Sequence, residues 1–393
     1  MLTPDMKLIS VDDHVYEHPT VWSSRLPQRY REQGPRIVER SDGSECWSIE
    51  GILVDYMDIN SELASSQGAS NAGLALAAGL DFSERSFEPR RYDQMLPGIY
   101  DPVARLADMD KDGVWAQTCF PSFARFAGTR FLPLKDKELA LMCVQAYNDF
   151  IVEEWCAAAP ERYIPLTILP LWNVDACVKE IERNADRGVH AISFPETMFP
   201  LGLPSIFTGH WNRVLAAAAA SDQVICMHFG SSGMTPAVSP EAPQAVITAL
   251  FGASLFASMA EWVLSSVFHD HPRLKVAYSE GGIGWWPFAL MRLDQVWDHY
   301  RFYDLEKGIN QTVRPSDIIR DHVYGCFIDD PVGIEMRDVI GVDNIMWESD
   351  YPHADSLFPK SRMNAERVFA AVPDADVKRI VETNARSLFR FGL

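Results

Sequence analysis

An apolar strand followed by a helical stretch recurs along this chain, and that rhythm restricts the fold more than any other feature. The apolar segments are 6–14, 113–121, 163–170, 188–195, 223–228, 274–280, 322–327 and 344–350. They are near-continuous apolar runs, the pattern of strands buried on both faces of a parallel sheet. Helices are expected at 102–111, 136–159, 173–187, 208–221, within 244–269, at 284–303, 331–340 and over 360–390. Eight strands, nearly all followed by a helix, predict an α/β fold of the closed (β/α)8 or TIM-barrel type in preference to an open doubly wound sheet. No Gly-x-Gly-x-x-Gly follows an early strand, so a dinucleotide fold loses its main support.

The rhythm is interrupted after the first strand. Residues 20–100 read as an insertion or lid on a single barrel domain spanning 1–393. Within it, Arg36-Ile37-Val38-Glu39 and Cys46-Trp47-Ser48-Ile49 flank Ser41-Asp42-Gly43-Ser44, which predicts a hairpin. Residues 60–80 are rich in Ser, Ala and Gly, the composition of a loop.

Composition narrows the partners. The net charge of −19 argues against nucleic acid, whose affinity rests on Lys and Arg, and against an anionic membrane. No apolar run is long enough to span a bilayer. The N-terminus lacks the basic and apolar regions of a signal peptide. The seven cysteines are widely spaced, with no Cys-x-x-Cys, which fits a reducing compartment. A cytoplasmic enzyme is the expectation.

Active sites of such barrels lie at the C-terminal ends of the strands. Polar side chains collect there: Asp12 and His14 on the first strand, His228 on the fifth, Glu280 on the sixth and Asp350 on the eighth. On a regular strand, period-2 geometry sends Asp12 and His14 to one face, with Val11 and Asp13 opposite. Singly, each has a plain structural use: a capping Asp, a satisfied core His, a loop carboxylate. Together they would ring one mouth. Two Asp and two His form a ligand set suited to Zn²⁺, Mn²⁺ or Fe²⁺.

The Asp-x-His start with Glu17 and Pro19, the strand-five His228, Glu280-Gly281-Gly282-Ile283-Gly284-Trp285 and Ser349-Asp350-Tyr351-Pro352-His353 together resemble the amidohydrolase-2 family. This is the aminocarboxymuconate-semialdehyde decarboxylase-like branch of the amidohydrolase superfamily. The resemblance implies one divalent metal held by Asp12, His14, His228 and Asp350, with Zn²⁺ expected first and Mn²⁺ as the alternative. It also implies a homodimer; the C-terminal Ser387-Leu388-Phe389-Arg390-Phe391 reads equally as an interface or as a helix docked on its own barrel. Phe194-Pro195-Glu196 stands at the fourth strand end, where a dinuclear centre would need a carboxylated lysine. The decarboxylases commonly place a His where Glu280 stands, and a Glu there resembles the family's C–C hydrolase.

From residue types, Asp350, His228 and Glu280 are the catalytic candidates, with Glu280 as general acid or base once burial raises its pKa. His353, Tyr351 and His18 are candidates for orienting ligands, Tyr351 and His353 also for touching substrate. Arg90 and Arg91 read either as a clamp for a substrate carboxylate or as a solvated basic pair. The expected activity is metal-dependent C–C cleavage, by decarboxylation or hydrolysis, of a small aromatic or ring-derived carboxylic acid. Hydrolysis of an amide or lactone is the alternative, and a non-catalytic metal-binding barrel belongs to a different class.

Overall fold

Leu8–Val15 forms β1, and all eight of its residues are buried. The computed structural model describes residues 1–54, 78–81, 84, 91–233, 239, 241–303 and 305–392. After β1, a separate antiparallel sheet is built from β2 (Arg36–Glu39), β3 (Glu45–Ile49) and β4 (Ile52–Val54). The expected hairpin is β2–β3, paired from Arg36 with Ser48 to Glu39 with Glu45. Its turn is held by Asp42 Oδ1, which accepts from Ser44 N at 3.0 Å and Ser44 Oγ at 2.6 Å.

The remaining strands are β5 (Val114–Pro121), β6 (Tyr163–Ile164), β7 (Ala191–Ser193), β8 (Val224–His228), β9 (Lys275–Ser279), β10 (Val323–Phe327) and β11 (Ile345–Trp347). With β1 they make one parallel sheet in the order β6-β5-β1-β11-β10-β9-β8-β7. Thr167, just beyond β6, bridges Ile192 on β7 and closes the sheet into a barrel. β6 itself is short because Pro165 and Pro170 cannot donate to a ladder.

Local chemistry sets the helix ends. For Pro102–Asp112, Asp101 accepts from the Val103 and Ala104 amides, proline takes the first position and Gly113 ends the helix at φ 76°. The stretch expected as one helix over 136–159 runs as Lys137–Phe150, then a wide π turn and a 3-10 turn. The 244–269 stretch divides into Gln244–Ala249, Phe251–Leu264 and Val267–Asp270. Helix Pro315–His322, ahead of β10, was not expected from the sequence.

Side chains from alternate barrel positions fill the interior: Ile9, Val11, Ala116, Val224, Ala277 and Met346. Phe389 and Phe391 pack against this cluster, so the C-terminal helix Asn384–Phe389 docks on its own barrel. The β1–β5 register shifts between Ser10 and Asp13. Such a bulge re-aims the residues beyond it. Val11 therefore joins the interior cluster and does not lie opposite Asp12, as a regular strand would place it.

The described part of the segment between β1 and β5 packs on the barrel. Trp47 lies 4.4 Å from Phe123 and 5.3 Å from Trp22, ring to ring. Beneath them Glu17 is fully buried, and each of its oxygens accepts a backbone N–H, from Phe123 at 2.7 Å and Ala124 at 3.0 Å. Glu17→Gln replaces one acceptor with a donor and leaves a buried N–H unpaired. The variant should lose about 1–3 kcal/mol in denaturant unfolding. An unchanged midpoint would show that this clamp contributes nothing.

Candidate metal centre

The barrel mouth gathers the strand-end residues in one buried cluster. Asp12, His14, His228 and Asp350 have no solvent exposure. His14 Nε2 lies 3.0 Å from Asp350 Oδ1 and 3.7 Å from Asp12 Oδ1. His228 Nε2 lies 3.4 Å from Asp12 Oδ2 and 3.2 Å from Glu280 Oε2. Ligand atoms of Asp12, His14 and His228 fall within 4.8 Å of one another, as do those of His14, Asp350 and His353.

These approaches are close but do not form hydrogen bonds. Both oxygens of Asp12, both of Asp350, and the Nε2 atoms of His14 and His228 are buried without a hydrogen-bond partner. A buried polar atom left so costs on the order of 1–3 kcal/mol. Six orphaned lone-pair carriers gather around His14, in two groups that share its ring, one with Asp12 and His228 and one with Asp350 and His353; this donor set suits a divalent cation. His228 Nδ1 stands 2.6 Å from the Phe229 carbonyl oxygen, so Nδ1 carries the proton and Nε2 faces the cluster as a lone pair.

Electrostatics agree with the geometry. Burial, then the charges of Glu348, Asp350 and Glu280, push the Asp12 carboxyl well above its ordinary range. Burial and neighbouring carboxylates do the same to Asp350 and to Glu280. The histidines move the other way: burial drives His14 well below its usual value and takes His228 and His353 to about 3. Neutral imidazoles among carboxylates that lack a counter-charge are the state a cation would relieve.

Two of the acidic residues hold unusual backbone. Glu280 sits at φ 60° and Asp350 at φ 54°, in the left-handed region that side chains other than glycine rarely adopt. Such conformations persist where the surroundings over-determine them, often at functional sites. Gly281 then allows a close approach, since an added Cβ would come 2.3 Å from Leu255 Cδ1.

Around the cluster, His353 stacks on His14 with centroids 3.5 Å apart, and its Nδ1 lies 3.0 Å from Asp350 Oδ1. Phe126 covers His228 at 3.9 Å and His14 at 5.1 Å. Beside the cluster opens a cavity of about 470 Å³, lined by Glu280, Glu348, Asp355, Phe251, Trp285 and Phe327 among others. No Lys, Arg or His lines it among the described residues.

Other expected residues lie elsewhere. Arg90 falls outside the described residues. Arg91 donates to the Gly43 carbonyl at 3.0 Å and is flanked by Glu39, Glu45 and Asp93, so the hairpin and its neighbour occupy it. The Tyr351 hydroxyl donates to Asp108 at 2.6 Å, turned away from a substrate-binding role. His18 pairs with Thr20 at a helix start and not with a ligand. The sequence reading missed Glu348, which is buried, raised to about 7, and accepts from Glu280 N at 3.2 Å and from Cys326 Sγ at 2.6 Å. Its spacing of two from Asp350, at a strand end, was the available signal. Phe126 had no such signal.

Comparison with known proteins accords with this architecture. The chain is 24% identical over 281 residues to gamma-resorcylate decarboxylase of Rhizobium sp. (strain MTP-10005), covering 65% of this chain and 79% of that protein. An amidohydrolase from Mycobacterium avium subsp. paratuberculosis superposes with a TM-score of 0.74 at 19% identity, over 98% of this chain and 100% of that one. A 5-carboxyvanillate decarboxylase from Novosphingobium aromaticivorans, complexed with manganese and 4-hydroxy-3-methoxy-5-nitrobenzoic acid, does so at 0.65 and 16%, over 99% and 100%. The family model described as amidohydrolase matches residues 76–391. That match spans most of the chain, which therefore belongs to the amidohydrolase family of enzymes.

Proposed function

We propose that this enzyme is a metal-dependent carboxy-lyase that decarboxylates a small aromatic carboxylic acid. The observation that carries the reading is Glu280, a largely but not fully buried carboxyl with a raised pKa, standing between the metal centre and the cavity. The decarboxylases among the chain's relatives support the reaction class.

Asp12, His14, His228 and Asp350 would hold one divalent ion. Bound there, such an ion supplies Lewis-acid polarisation of a substrate oxygen. Manganese in the structural neighbour supports Mn²⁺ beside Zn²⁺ as the occupant. The chain's own side chains do the rest. Phe251, Trp285 and Phe327 offer apolar walls for a ring. Like-charge repulsion from Glu348 and Asp355 turns the substrate carboxylate away from the cavity, toward the cation end. Phe126 screens the histidines from water. As the bond to the carboxylate breaks, its electron pair stays on the ring carbon and takes the Glu280 proton. CO2 departs, and solvent returns a proton to Glu280.

A cytoplasmic homodimer belongs to the same reading. All seven cysteines are free and buried, which supports a reducing compartment. Phe288, Met291 and Tyr300 are exposed on helix Trp286–Tyr300, as an interface requires. The described part of the 20–100 segment packs beside the mouth through Tyr16 and Tyr92, which supports its reading as a lid.

The test is turnover of a panel of hydroxylated benzoates by the metal-loaded enzyme in water labelled with both deuterium and heavy oxygen. The expected result is CO2 release, a hydrogen from solvent on the vacated carbon, and no solvent oxygen in the organic product. Solvent oxygen in a newly formed acid would replace decarboxylation with C–C hydrolysis, the outcome that a Glu at position 280 also allows.

A further inference from the structure

The middle residue of Asp12-Asp13-His14 takes no part in the cluster, yet it is fully buried. Beyond the β1 bulge, alternation turns Asp13 to the opposite side from Asp12 and His14. There its Oδ1 accepts from Ser349 Oγ and, at 2.9 Å, from the Tyr351 amide. Those donors flank Asp350 on either side. The same turn is tied to β1 at three more points. Ser349 N donates to Ser10 Oγ at 2.8 Å, Asp350 N to the Asp12 carbonyl at 2.8 Å, and His14 N to the Tyr351 carbonyl at 2.7 Å. Arg105, also fully buried, donates to the His14 carbonyl at 2.6 Å and lies 4.3 Å from the Tyr351 ring.

Asp350 needs such support. At φ 54° its backbone is held where it would not rest unaided. A side chain that grips residues 349 and 351 together fixes the direction in which the Asp350 carboxylate leaves the turn. We propose that Asp13 is a positioning residue for the metal centre, pinning the 349–351 turn to β1 so that Asp350 faces His14. Asp13 touches neither substrate nor ion in this account and acts through Asp350. The inference rests on reading Asp12, His14, His228 and Asp350 as the metal ligands.

Full-length wild type, Asp13→Asn and Asp13→Ala would be stripped with chelator and titrated with Mn²⁺, following free Mn²⁺ by its paramagnetic resonance signal. Asparagine keeps the oxygen that accepts both bonds, and Asp13 Oδ2, which it replaces, has no hydrogen-bond partner. Asp13→Asn should therefore bind close to wild type. Asp13→Ala should bind roughly 10–100-fold more weakly, the range for loss of a partner that orients a ligand. Thermal melts of the stripped proteins separate positioning from simple destabilisation. If Asp13→Ala does not fold, Ser349→Ala, which removes one of the two donors, carries the comparison and should also weaken binding. Equal affinity of the alanine variant and wild type, or equal loss in Asp13→Asn and Asp13→Ala, would overturn the proposal. Failure of wild type itself to bind Mn²⁺ would overturn the metal-centre reading instead.

Discussion

Glu280→Gln should keep its metal and lose turnover by about 10²–10⁴, the usual contribution of a positioned proton donor. The substitution preserves side-chain shape and the residue's left-handed backbone, so the cluster around His228 should persist. What it removes is the exchangeable proton. Burial first, then the charges of Asp355 and Glu348, raises the Glu280 carboxyl well above its ordinary value. Both effects favour the acid form, the form that can donate a proton. Wild-type activity should fall as pH rises through that raised pKa, and the residual activity of the glutamine variant should lack this limb. Steady-state rates across pH, alongside metal content, check both parts. Full turnover by Glu280→Gln would remove its role as proton donor.

His228→Ala and Asp350→Asn should each lose the metal, by more than the roughly 10–100-fold typical of an outer partner. Their effects on the metal-free fold should differ in sign. His228→Ala removes a ring packed on Phe126 and Phe120, leaves a cavity and should lower the melting temperature. Asp350→Asn removes one of several uncompensated buried carboxylates. With chelator present, that variant should melt at or above wild type, the pattern expected where a site is held against stability. Melting curves with and without Mn²⁺ read both effects. A chelated Asp350→Asn that melts well below wild type would contradict the electrostatic picture.

The barrel was legible because parallel strands buried on both faces must be apolar along their whole length. A polar side chain at the end of such a run stands out, as Asp12, His228, Glu280 and Asp350 do. What the chain conceals is set by long-range geometry. The bulge in β1 puts Val11 inside, and nothing in Ser10-Val11-Asp12 announces it. Arg91 looks like a substrate clamp until β2 and β3 bring Glu39 and Glu45 to it. Tyr351 adjoins Asp350, a proposed ligand, in sequence, but its hydroxyl goes to Asp108 beyond the left-handed turn at Asp350. The 163–170 run reads as a full strand, but its prolines cut the regular strand to Tyr163–Ile164, and closure of the barrel rests on a single bridge from Thr167. Phe126 reaches the histidines from a loop beyond β5, and loop trajectories carry no periodic signal.

Metal stoichiometry of the full-length protein tests the central claim most directly. After chelation and reloading, elemental analysis should find one equivalent of Mn²⁺ or Zn²⁺ per chain in wild type and Glu280→Gln. It should find little in His228→Ala or Asp350→Asn. Trace metal in wild type that does not rise on reloading, or content unchanged by the ligand substitutions, would contradict the account.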